Sequence, residues 1–124
     1  MFVLVLKALA RFILFDLYLL RNNYDALNQK VKTYPTARRP YTQEVVSRIC
    51  YAMDLASIWY YKVIKCAQRS AATTCLLRDF GVPAQMIIGV QKVPWKSHAW
   101  TEVDCQVVSD KPYMREIWVV VDQF

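Results

Sequence analysis

At 124 residues and 56% hydrophobic, the chain is long enough for one domain with a core of its own and too short for two. The net charge is +6, but the cations are dispersed in small groups such as Lys30/Lys32, Arg38/Arg39 and Lys62/Lys65 without the aromatic-basic pattern of a nucleic-acid reader, so an acidic peptide or a partner's surface fits this charge better. Four cysteines, Cys50, Cys66, Cys75 and Cys105, include no pair with the two-residue gap of zinc knuckles or redox dithiols, and beside a single histidine they predict neither metal nor cofactor.

Residues 1–22 predict a first helix, apolar except for Lys7, Arg11, Asp16, Arg21 and Asn22; helical spacing gathers Lys7, Arg11, Tyr18 and Asn22 into one narrow stripe. A membrane span needs about 20 residues with almost no charge, which excludes a transmembrane reading. Packing inside the domain or against a partner helix is preferred over interfacial membrane contact. Residues 1–6 carry no basic segment, and Lys7 and Arg11 interrupt the apolar run, so no secretory signal is read. A reducing cytoplasm with free thiols is the expected compartment.

A second helix over residues 24–32 gives way to Pro35, Arg38, Arg39 and Pro40, a stretch that cannot continue a helix. It separates an N-terminal helical segment, residues 1–40, from a core of residues 41–124 within one compact domain. Thr42 then caps a helix whose apolar positions Val45, Ile49, Met53 and Ala56 recur every three or four residues. That helix is expected to end near Ser57, because Trp59, Tyr60, Tyr61, Val63 and Ile64 suit extended chain. A fourth helix over residues 66–80 stops at Gly81, with Pro83 just after. Strands follow at 84–90, 97–103 and 106–109, the first two connected through Pro94 and Trp95; residues 117–121 form a fourth strand or open a C-terminal element. Helices first and an antiparallel sheet after make an α+β domain.

Three residues then supply the parts for acyl transfer: Cys66 opening the fourth helix, the only histidine, His98, on the second strand, and Asp110 beyond it. A thiol nucleophile needs an imidazole to take its proton, and the imidazole needs an acid to fix its tautomer. The first turn of a helix favours thiolate through its unpaired amides and positive dipole end, and Lys65 and Arg69 add charge beside it. Cys75 falls on the opposite side of the same helix and is expected in the core, as is Cys50. Strand alternation puts His98, Trp100 and Glu102 on one face. Asp110 reaches that face only if the hairpin after Val103 has a three-residue turn or a bulge, so the longer turn is predicted. Glu102 and Asp104 are the fallback acids. Arg69 is a candidate to hold substrate or thiolate, and Trp95 and Trp100 to wall a groove, with core packing favoured for Trp100.

These residues stand in a pattern that resembles the lasso-peptide leader peptidases, the B2 proteins of the transglutaminase-like superfamily. It runs through Cys66-Ala67-Gln68-Arg69-Ser70, Leu76-Leu77-Arg78, Phe80-Gly81-Val82-Pro83, Ile88-Gly89-Val90, His98-Ala99-Trp100 with Glu102, and Ser109-Asp110. The resemblance implies a transglutaminase-like, papain-like fold, with Cys66 as nucleophile, His98 as base and Asp110 as orienting acid. It further implies hydrolysis of the bond between leader and core of a ribosomally made precursor, with the leader presented by a small B1 protein and the freed core closed by a separate lasso cyclase. No phosphate-cradling glycine loop is present, so cyclisation is not this chain's work. Two other readings use the same residues: a non-catalytic peptide-binding or scaffold module, and a related amidase or transglutaminase.

Overall fold

The computed structural model describes residues 2–21 and 23–124; Asn22, placed on the basic stripe by its spacing, lies outside the described residues. Helices α1 (Phe2–Leu20), α2 (Tyr24–Lys32), α3 (Gln43–Trp59) and α4 (Cys66–Asp79) come first. They are followed by β1 (Ala84–Lys92), β2 (Trp95–Val103), β3 (Gln106–Val107), the short α5 (Met114–Ile117) and β4 (Val119–Gln123). The strands form one antiparallel sheet in the order β3-β2-β1-β4, giving the α+β architecture of helices followed by a small sheet.

Local chemistry sets the helix ends. Asn23 and Thr42 cap α2 and α3 by accepting the amides of Ala26 and Val45 at 3.0 and 3.3 Å, each satisfying an amide that the first turn leaves open. Gly81, at φ 86°, terminates α4: its own amide and that of Val82 return to the carbonyls of Arg78 and Leu77, a left-handed closure that only glycine enters without cost. A side chain there would also run into the Arg39 carbonyl.

Helix α4 is the central element. Ser70, Ala71, Ala72, Thr73 and Thr74 are all buried, and their small size lets α1 and α3 close on one side while the sheet closes on the other. Ala8, Phe12, Phe15 and Leu19 of α1 join this core, together with Ile49 and Met53 of α3 and Met86 and Ala99 of the sheet. Polar ties fix the register: Gln68 Nε2 donates to the Phe12 carbonyl at 2.8 Å, and Thr101 Oγ1 bonds both Thr74 Oγ1 and the Ser70 carbonyl at 3.1 Å. A second, smaller cluster of Ile87, Trp100 and Met114, with Trp118 and Val120 against it, covers the other face of the sheet.

Four boundaries differ from the sequence reading. Helix α3 runs on to Trp59 rather than ending near Ser57; residues 60–65 are irregular, extended at Tyr60 and Lys65, and Tyr60 and Tyr61 place their hydroxyls on Asp16 of α1. Lys92 pairs with Trp95, so the β1–β2 turn is only Val93 and Pro94, and Trp95 belongs to β2. Strand β3 is two residues long. The last strand begins at Val119, after the turn of α5. On the basic stripe of α1, Arg11 bonds Asp79 and Tyr34, and Lys7, though exposed, sits over the Phe80 ring at 5.1 Å. Apart from Lys7, the residues that α1 exposes are apolar, Val3, Leu6, Ile13 and Leu17 among them. Among the described residues no helix is long and apolar enough to cross a membrane.

Candidate active site

Cys66 is the first residue of α4, and the irregular segment before it is held from α1. The Asp16 carboxylate is 5% exposed and accepts the hydroxyls of Tyr60 and Tyr61 at 2.8 and 2.9 Å and the Lys62 ammonium at 2.7 Å. Burial pushes the Asp16 carboxyl up, but these three donors outweigh it and hold it below the usual range, so it stays charged and clamps the chain entering α4. Cys66 itself is exposed. The His98 side chain, and after it the amides of Ala99 and Ala67, hold its thiol below the ordinary value against partial burial.

His98 is fixed by aromatic packing. Its ring lies near parallel to Trp118 at 5.3 Å and to Trp100 at 6.0 Å. Trp100 is buried and donates its indole N–H to Glu102 at 2.8 Å, and Glu102 is locked in turn by a two-point pair with Arg115 at 2.8 and 2.9 Å. Glu102 therefore holds the tryptophan rather than the histidine, and Asp104 lies out in the hairpin turn, so neither fallback acid is used. Gly89, opposite His98, makes this packing possible, because a Cβ there would stand 2.7 Å from Trp118 Cβ and 2.9 Å from the Trp100 ring.

Asp110 reaches His98 by a route the strand periodicity does not contain. Val103 pairs with Gln106 across a two-residue turn in which Asp104 and Cys105 take φ of 51° and 64°, the geometry of a type I′ hairpin without its usual glycine. The predicted longer turn or bulge is thus overturned. A ladder continued in this register would set Asp110 opposite Ala99 and aim it away, but the strand ends at Val107, the Val108 amide makes a last bond to the Thr101 carbonyl at 3.1 Å, and the chain bends over residues 108–110. Asp110 Oδ2 comes to 2.6 Å from His98 Nε2, while Oδ1 accepts the Lys111 amide at 2.8 Å. With Nε2 engaged, Nδ1 is the ring nitrogen left for the thiol. His98 is held above its ordinary pKa, first by the bond to Cys66 and then, against burial, by Asp110. A lowered thiol and a raised imidazole are shifts toward a thiolate–imidazolium pair.

Two cavities meet at this pair, one of about 290 Å³ and one of about 540 Å³, sharing Cys66, His98 and Ala99. The smaller is lined also by Asp110, Ser109, Arg69 and Trp100. Arg69 thus stands at the site, but its guanidinium is bonded to Asp54 and, at 3.4 Å, to Ser57 of α3. Trp100 contributes an edge of a ring otherwise in the core. Trp95 is not among the lining residues of either cavity and is 70% exposed. Cys50 and Cys75 are set apart from Cys66, since burial pushes both thiols up to about 11. Trp118 was not singled out from sequence, and Ser109 and Ala99 stood only within the family pattern, with no role given to them; Gly89, lone in a strand, is the signal that something bulky approaches there.

Residues 12–121 match the transglutaminase-like superfamily. A segment of 65 residues, 51% of this chain, is 35% identical to the Microcin J25-processing protein McjB of Escherichia coli. That segment spans 31% of the relative's length, so the chain matches about a third of it. No solved structure matches.

Proposed function

This chain belongs to the transglutaminase-like superfamily, and from that premise we propose that it is a cysteine peptidase that cuts the leader from the core of a ribosomally made lasso precursor. The observation that carries the reading is the line of contacts running from the Cys66 thiol through the His98 ring to Asp110, 2.6 Å beyond it, at the junction of two open cavities. The likeness to a protein named for microcin processing supplies the substrate class.

On this reading the Cys66 thiolate attacks the scissile carbonyl, and the negative charge moves to oxygen, where the Cys66 amide at the open end of α4 donates to it. His98 protonates the leaving amine as the carbon–nitrogen bond breaks, leaving a thioester on Cys66. The neutral imidazole then takes a proton from water, whose oxygen attacks the thioester, and returns it to sulfur as the acid product departs. Asp110 holds the Nε2 proton and so keeps Nδ1 toward the reaction. The partners are the precursor's leader, a small B1 protein that presents it and the cyclase that consumes the product; free thiols at all four cysteines fit a cytoplasmic setting.

Incubation of the precursor with purified protein and its leader-binding partner, read by mass spectrometry, should give separate leader and core. Cys66→Ala should abolish the cut while leaving leader-dependent binding intact. A Cys66→Ala protein that still cleaves ends the proposal, and transfer of the acyl group to an added amine in preference to water would assign the site to a transglutaminase instead.

A further inference from the structure

The two cavities at the thiol differ in chemistry. The smaller presents Asp110, Ser109 and Arg69. The larger has an apolar floor made by Met86 and Ile88 of β1 and Ala67 of α4, with Tyr24 of α2 on its rim. Both contain Cys66 and His98, so a peptide laid across the pair occupies one with the residues before the scissile bond and the other with those after it. None of the described residues lining the larger cavity is acidic, and its polar side chains, Lys65, Asn28 and Ser97, suit the carbonyls of a passing main chain. At about 540 Å³ it holds far more than a backbone. From this arrangement we infer that the cavity between α2, α4 and β1 is a specificity subsite that takes a bulky apolar side chain of a residue flanking the scissile bond.

The inference rests on the peptidase reading for its substrate but not for its test, because an apolar group tethered to an electrophile probes the cavity without any cleavage. The probes are iodoacetamide and its N-hexyl derivative, with alkylation of each cysteine followed by mass spectrometry. Cys105, exposed on the far hairpin, serves as the internal control. A methylene moved from water to an apolar site is worth about fourfold in a rate or binding constant. The hexyl reagent should therefore gain about tenfold or more over iodoacetamide at Cys66 and nothing at Cys105.

Ala67→Leu, which fills the floor, should remove that gain, and Ile88→Thr, which keeps a branched side chain but makes the floor polar, should reduce it. Equal hexyl-to-parent ratios at Cys66 and Cys105 in the wild type would overturn the subsite, as would a gain that survives both substitutions. The peptidase reading fails separately, on an iodoacetamide rate at Cys66 no faster than at Cys105, and a hexyl gain at Cys66 would still uphold the subsite.

Discussion

At the level of single residues, the peptidase reading makes the site a proton relay of three groups, which sets how activity should depend on pH. Turnover requires thiolate, present above the pKa of Cys66, and imidazolium, present below the pKa of His98. The bond between them lowers the first and raises the second. The acid limb of kcat/KM should therefore lie below the ordinary thiol value of about 8.5 and the alkaline limb above the ordinary imidazole value of about 6.5. The two shifts move the limbs toward each other, where unperturbed groups would have no shared window. Asp110→Asn removes one of the contacts that raise His98, so the alkaline limb should move down in pH as well as the rate falling by about 10²–10⁴-fold. A rate loss with an unmoved limb would make Asp110 a structural residue only. Cys66 and His98 were legible because their chemistry is rare in this chain: one histidine, and one cysteine at a helix start. The contact with Asp110 was legible as a requirement but not as a path, since strand periodicity says nothing about where a two-residue strand lets go.

At the level of elements, helix starts and stops followed from caps and breakers, because those interactions lie within a few residues of one another. Asn23, Thr42 and Gly81 each close a local ring of hydrogen bonds. Residues 60–65 were legible only as extended chain, because the partner that fixes them lies on α1, more than forty positions away in the chain. That clamp makes α1 part of the site. Replacing Asp16 with Ala leaves two hydroxyls and an ammonium without their acceptor and should cost about 1–3 kcal/mol of stability. It should also slow alkylation of Cys66 toward that of an ordinary exposed thiol while Cys105 is unaffected; an unchanged Cys66 rate would show that α4 needs no help in placing the thiol. The opposite face of the sheet has its own dependency. Gly89→Ala would push a methyl group into Trp118 and the Trp100 ring, an overpacking worth about 1–3 kcal/mol. It should change the near-ultraviolet circular dichroism of those indoles together with the rate, since His98 rests on both.

At the level of the whole molecule, the question is whether the N-terminal helices are an appendage or part of one folding unit. The proline-bounded stretch between α2 and α3 suggested a division in the sequence, yet α1 contributes Phe12 and Phe15, fully buried, to the same core as α4. Beside the ties of Arg11, Asp16 and Gln68, a buried guanidinium helps to close the seam between the segments. Arg78 is 7% exposed; it donates to the carbonyls of Ala84 at 3.0 Å, Val31 at 2.5 Å and Tyr34 at 3.1 Å, and its own carbonyl accepts the Ala37 amide at 2.8 Å. One side chain thereby joins the end of α2, the stretch after it and the first strand, satisfying carbonyls that the irregular chain would otherwise bury unpaired. Burial lowers the Arg78 pKa, and the hydrogen bonds its side chain makes run to carbonyl oxygens rather than to a carboxylate. Arg78→Met keeps the volume but strands those acceptors, which should cost about 3 kcal/mol and lower the melting temperature by roughly 10 °C for a domain of this size. Unfolding should remain one cooperative transition in both proteins, because the core it seals is continuous. Two resolved transitions in the variant, with the N-terminal helices melting first, would show instead that residues 1–40 fold against a finished core rather than with it.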